Sequence, residues 1–223
     1  MKRVFFLWFI VPVSIYFGLI VFKNIFVTFI LFYGVVCVLV PVLDFIFIQQ
    51  TGWKIFFVEL GFKNSKRSLL PAVGLGLFFC LFIFAFFVFL QKHVLNMDRI
   101  QLVLDQWQIN KKYVIPFMLT MVVANSIFEE VYWRGYIYKK LAPCCKPVYV
   151  ILLTSFFYAS YHPISIFHLF PLLYSVLFTS IIFGTGVFWG YMRFKLDSIY
   201  FSVISHLLAD LGIMLIYFKY FGR

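Results

Sequence analysis

Glu129-Glu130-Val131-Tyr132-Trp133-Arg134 places three ionisable side chains within six positions, directly after the 16-residue uncharged run Tyr113–Phe128. A charge at mid-membrane costs about 2.5–3.5 kcal/mol on insertion scales, so such a cluster on an apolar helix points to a functional site. Glu130 and Arg134 are i, i+4 neighbours on a helix and can neutralise each other, while Glu129 projects about 100° away and needs another partner. His162, His206 and Asp210 are the candidates. Glu129 is 11 residues from Lys140, His206 is 11 from Lys195, Asp210 is 15 from Lys195 and His162 is 15 from Pro147. At about 1.5 Å per residue these positions lie about 16, 16, 22 and 22 Å from one membrane face, which predicts a shared level. His206 with Asp210, and Tyr158 with His162, also share helix faces at i, i+4. A carboxylate among imidazoles can act as a general base on water, bind a metal, or pass protons. If residue 128 merely ended a helix, both glutamates would meet water, as charges flanking spans commonly do.

The elements that must position these groups are membrane helices. The chain has 223 residues, is 64% hydrophobic and 12% charged, contains 33 Phe, and has a mean hydropathy of +1.01. No soluble domain carries such runs unbroken by polar faces. Segments of about 20 apolar residues cross a bilayer, and seven fit: Val4 to Phe22, Ile25 to Ile48, Leu69 to Leu90, Tyr113 to about Leu141, Val148 to Tyr161, Pro171 to Met192 and Ile199 to Phe218. The expected fold is an all-α polytopic transmembrane bundle, with residues 1–223 forming a single membrane domain. Lys2 and Arg3 before the first run suggest a signal peptide, but no small-residue cleavage site follows, and the run is read as the first span. Only Lys23 and Asn24 separate it from the second, which predicts a helical hairpin. Asp44, late in the second span, reads as interfacial.

Between the spans, Gln49 to Ser68 alternates apolar residues with Lys54, Lys63, Lys66 and Arg67, a pattern suited to the membrane surface. Gln91 to Lys112 is the most polar stretch and reads as an extramembrane loop with a short helix. With the N-terminus in the cytoplasm, 11 Lys and Arg fall on inner segments and 7 on outer ones, Arg134 being the last of 19, which favours that orientation. The net charge of +11 therefore reads as topology, and no basic stripe fits a nucleic acid. Cys37, Cys80, Cys144 and Cys145 lack metal-ligand spacing. His93 and His168 read as interfacial, Trp53, Trp107 and Trp189 as belt or packing residues, and Gly184, Gly186 and Gly190 as a close-packing helix face.

Three motifs in order resemble the CAAX prenyl protease and bacteriocin-processing (CPBP) intramembrane proteases, related to the Ras-converting endopeptidase and abortive-infection-type proteins. Glu-Glu-x-x-x-Arg is Glu129 to Arg134, followed by Gly135; Phe-x-x-x-His is Tyr158 to His162, with Tyr for Phe; His-x-x-x-Asn/Asp is His206 to Asp210. The family-like core covers about residues 113–218. The resemblance implies an intramembrane endopeptidase that cuts near the membrane-anchored end of a protein or hydrophobic peptide. It implies that Glu129 and His162 activate water while His206 and Asp210 polarise the scissile carbonyl, with Glu130, Arg134 and Tyr158 in support. Where better-known members carry Asn, Asp210 cannot donate to an oxyanion unless protonated, so orienting His206 is the role that fits it. The resemblance points to a mechanism without a metal. A zinc alternative would use Glu129, His162 and His206 as ligands around an activated water, but no His-Glu-x-x-His spacing supports it, and the metal-free glutamate mechanism is preferred. The expected partners are the lipid bilayer and a membrane-anchored protein or peptide substrate, with no nucleic acid. Two rival readings use the same residues: a non-catalytic membrane immunity or peptide-binding protein, and a proton or ion pathway.

Overall fold

A computed structural model of the chain describes residues 2–49, 52–63 and 66–222. Gln50, Thr51, Asn64 and Ser65, all in the stretch expected at the membrane surface, lie outside the described residues. So do the side chains of Lys2, Arg3, Lys66, Arg67, Lys111 and Arg223, which entered the orientation count.

Ten helices and no strand form among the described residues. They are α1 (Phe5–Val21), α2 (Ile25–Ile48), α3 (Trp53–Glu59), α4 (Ser68–His93), α5 (Met97–Gln106), α6 (Val114–Leu141), α7 (Pro147–Ser160), α8 (Pro163–Leu169), α9 (Leu172–Leu196) and α10 (Tyr200–Tyr220). The all-α polytopic bundle expected from composition is what the chain builds, and the protein is an integral membrane protein.

Of the roughly seven spans expected, five or six meet the length and apolarity needed to cross a membrane among the described residues. Five helices (α2, α4, α6, α9 and α10) are long and apolar enough to cross, and α7 with α8, bent by 43°, makes a sixth if the pair is one span. α1 is a shorter apolar helix. The bend has a local cause: proline lacks an N–H and crowds the residue before it, so Pro163 restarts the helix after a turn at Tyr161 and His162. Irregular backbone at membrane depth survives only inside protein. Here the elbow's groups are paired, with the His162 N–H donating to Ala159 O at 3.2 Å and the Ile166 N–H to His162 O at 3.0 Å.

The expected hairpin forms, with Asn24 Oδ1 capping α2 by accepting the N–H groups of Phe26 and Val27 at 2.9 and 3.1 Å. At one end of the bundle, α5 closes over it: Trp107 is buried and its carbonyl accepts the Ile25 N–H at 2.9 Å. At the other end, charges pair between elements. Lys140 meets Asp44 at 2.9 Å, Lys139 meets Glu59, and Asp197 takes both Lys63 and Arg193. Burial would raise the Asp197 carboxyl, but the Lys63 and Arg193 hydrogen bonds outweigh it and hold the group below the usual range. α3 turns Trp53, Ile55 and Phe57 outward and buries Phe56, as a surface helix should.

Two glycines let backbones meet. A Cβ on Gly135 would stand 2.9 Å from Leu60 O, so this residue seats the chain after α3 against α6. A Cβ on Gly212 would stand 2.8 Å from Cys80 O, so α10 lies directly on α4. α10 also packs on α6, and α7 packs on α9. The four cysteines are free, Cys37 and Cys80 buried and Cys144 exposed.

Candidate active site

The two glutamates do not meet water: Glu129 is 3% exposed and Glu130 is 0%. They lie inside α6, where the helix widens to i→i+5 bonding over Val131–Ile137. Such wide turns cluster at functional sites because they re-aim side chains without ending the helix.

Glu130 is the carboxylate paired with Arg134. Its Oε1 accepts Arg134 Nη1 at 2.9 Å, both side chains being fully buried, and faces His206 Nδ1 at 3.2 Å. Arg134 is held in turn from α9 and α7: its Nη2 donates to Gly186 O at 3.1 Å, and its guanidinium lies 4.4 Å from the Tyr158 ring centre and 5.4 Å from that of Trp189. Gly186 is needed here, since a Cβ would come 3.1 Å from Arg134 Nη2. Arg193, buried on α9, donates its Nε to Arg134 O at 3.0 Å. The motif helix is thus clamped from both sides by groups at its own level.

Glu129 stands apart from this clamp. Its Oε1 accepts the Tyr161 hydroxyl at 2.7 Å, and its Oε2, buried with no hydrogen-bond partner among the described residues, lies 3.9 Å from His206 Nε2. Arg134 Nε and Trp133 Nε1 are likewise buried without a hydrogen-bond partner among the described residues. His206 Nε2 is also 3.5 Å from Asp210 Oδ2. With Glu130 accepting at Nδ1, Nε2 is the nitrogen turned toward the two other carboxylates. Trp189 stacks on the His206 ring at 4.5 Å and donates its own N–H to Ser205 at 2.9 Å, which fixes the imidazole plane.

A second layer lies one turn away. Asn125 precedes Glu129 by four residues on α6, as Asp210 follows His206 by four on α10, and Asn125 Nδ2 donates to Asp210 Oδ2 at 2.8 Å. Tyr33, from α2, donates its hydroxyl to Asn125 Oδ1 at 2.5 Å.

The structure therefore brings Glu129, His206 and Asp210 together. His162 sits at the elbow, half-buried, and forms no hydrogen bond or ion pair with Glu129. Its Nδ1 must carry a proton, since it faces the Tyr158 carbonyl at 2.8 Å, and its ring stacks on Tyr161 at 4.4 Å. Tyr161 is thus the residue of this turn that touches Glu129. Sequence reasoning missed Tyr161, Asn125, Tyr33 and the site role of Trp189. Asn125 carried a signal, being a polar residue in an apolar run one turn before Glu129; Tyr33 carried none. The zinc alternative needs three ligands at one point. Among the described residues no three His, Cys, Asp or Glu side chains are so placed.

Residues 111–212, a little under half of the chain, match the family model of the Rce1-like type II CAAX prenyl endopeptidases. The matched stretch contains all three motifs and ends two residues after Asp210. It bears out the resemblance to the CPBP intramembrane proteases and supports membrane proteolysis as the general activity. No curated protein and no solved structure gave a match.

Proposed function

We propose, from this family match and the buried carboxylate layer, that the chain is an intramembrane endopeptidase working through Glu129 without a metal. Its substrate is a membrane-anchored protein or peptide tail, of which a prenylated Cys-a-a-X end is the form suggested by the family's name. The observation that carries the reading is Glu129 Oε2, buried and 3.9 Å from His206 Nε2. That gap is too long for a direct hydrogen bond, yet one water at about 2.8 Å from each atom bridges it.

In this reading Tyr161 holds Oε1 and leaves Oε2 to take the proton of that water. The water oxygen adds to the scissile carbonyl carbon, and the carbonyl electron pair moves onto oxygen, where His206 Nε2–H stabilises it. Glu129 then gives its proton to the amide nitrogen, and the C–N bond breaks to a carboxylic acid and an amine. Glu130 and Arg134 keep His206 in place, and Asp210 faces the same imidazole. His162 supports the site through Tyr161, and its Nε2, left as the acceptor nitrogen of the neutral ring, is available to a water at the elbow.

Glu129→Gln keeps size and removes the base. With a fluorogenic peptide bearing an S-farnesyl Cys-a-a-X tail, cleavage falls by at least about 10²-fold, the lower range for losing a general base. Thermal unfolding stays near that of the wild type. Cleavage by Glu129→Gln at the wild-type rate would refute the proposal. Peptide protection or ion flux that survives the substitution while no cleavage occurs would favour the non-catalytic or pathway readings.

A further inference from the structure

The proposed reaction puts negative charge on the carbonyl oxygen beside a residue, Asp210, that accepts hydrogen bonds and does not donate them when ionised. His206 Nε2 supplies one donor. We infer that Asn125 supplies the second, and that Tyr33 is what aims it; this rests on the endopeptidase reading above.

The geometry is a ladder of two rungs between α6 and α10. Glu129 and His206 make one rung, at 3.9 Å, and Asn125 with Asp210 makes the next, at 2.8 Å. The rungs are separated by one helical turn, about 6 Å. Both His206 Nε2 and Asn125 Nδ2 nevertheless lie near one atom, Asp210 Oδ2: the imidazole nitrogen at an ion-pair distance of 3.5 Å, the amide donating a hydrogen bond at 2.8 Å. Two nitrogens that can each present an N–H to one oxygen position are what an oxyanion requires. A substrate carbonyl oxygen brought alongside that atom meets the same pair.

The amide is also the right way round. Asn and Gln flips are settled by partners, and the Tyr33 hydroxyl donates to Oδ1 at 2.5 Å, so the NH₂ group must face Asp210. Asn125 and Tyr33 are both buried, at 7% exposure. One amide hydrogen is spent on Asp210 Oδ2, and the other has no partner among the described residues. Tyr33 is on α2, outside the matched residues 111–212, so a helix beyond the family-like segment contributes to the site. In the step itself, water oxygen bonds to the carbonyl carbon as the C=O pair shifts to oxygen. The oxygen then accepts Nε2–H and Nδ2–H until the C–N bond breaks and the pair returns.

The test uses the full chain in detergent micelles, the farnesylated Cys-a-a-X peptide, and a phosphinate analogue of that peptide as the tetrahedral mimic. Asn125→Ala is expected to lower kcat about 10²–10³-fold, the range for loss of one oxyanion donor, with KM changed by no more than about threefold. Affinity for the phosphinate falls with kcat, because the mimic carries the charge that the substrate lacks. The exchange of Asn125→Asp with Asp210→Asn keeps one amide and one carboxylate on the rung. It recovers at least about tenfold in kcat over Asn125→Asp alone, and it serves as the test if Asn125→Ala does not fold. Asn125→Ala with kcat within threefold of wild type overturns the inference, and so does a loss of kcat that leaves phosphinate affinity unchanged, which marks a structural role. Those results with Glu129→Gln inactive refute Asn125 alone. A wild type that does not cleave, or an active Glu129→Gln, takes the endopeptidase reading and this inference down together.

Discussion

Replacing Arg134 by Met tests the arrangement that holds the site. Arg134 and Glu130 are both 0% exposed and 2.9 Å apart, so removing the cation leaves a carboxylate deep in the bundle facing only the His206 ring and the Ser202 hydroxyl among the described residues. Breaking a buried pair from one side costs about 3–5 kcal/mol, because the remaining charge is uncompensated. The bond to Gly186 O and the stacking on Tyr158 go with it, though Met retains apolar contact with both rings. For a chain of this length each kcal/mol moves the unfolding midpoint by about 2–4 °C, which gives a drop of about 6–20 °C. Adding Glu130→Gln removes the stranded charge, and the double variant should regain at least about 2 kcal/mol of that loss. Cleavage does not return with it, since the clamp to α9 is still missing. The assay is thermal unfolding of purified protein in one detergent, read by intrinsic tryptophan fluorescence, alongside peptide cleavage. A midpoint for Arg134→Met within about 2 °C of wild type would refute a desolvated pair. A double variant no more stable than the single would show that stranded charge is not the source of the cost.

Two further outcomes follow from the packing and the charge distribution. Gly212→Ala pushes a methyl to within 2.8 Å of Cys80 O, which is backbone and cannot rotate away; it should destabilise by about 1–3 kcal/mol in the same unfolding assay, whereas Gly184→Ala, which meets nothing within 4 Å, should not. If the N-terminus is cytoplasmic, exposed Cys144, in the Cys145→Ser background, reacts with a membrane-impermeant maleimide in inside-out vesicles and not in right-side-out ones, while buried Cys37 and Cys80 stay unlabelled in both. The opposite labelling pattern would reverse the orientation.

How much was legible in the sequence depends on the range of the forces involved. Burying charge in lipid is so costly that Glu129, Glu130, Arg134, His206 and Asp210 stood out against an apolar background, and helical periodicity alone paired Glu130 with Arg134 and His206 with Asp210. Rise per residue put residues from separate spans at similar depth, and the structure places Glu129 beside His206 and Asp210. Rotation about each helix axis and contact across helices have no such local signal. Depth could not say that Tyr161 instead of His162 would reach Glu129, because that was decided by the elbow Pro163 makes in α7 and α8. Nor could it say that Glu130 would take His206 Nδ1, or that Tyr33 and Trp189, ordinary aromatics in a chain with 33 Phe, would be the ones at the site. The sequence by itself determined which side chains had to leave the lipid and at what level. Which of them touch was left to the tertiary structure, because side-chain distances across a bundle depend on helix rotation and close backbone approach, as at Gly135 and Gly212, that no stretch of one strand of sequence encodes alone.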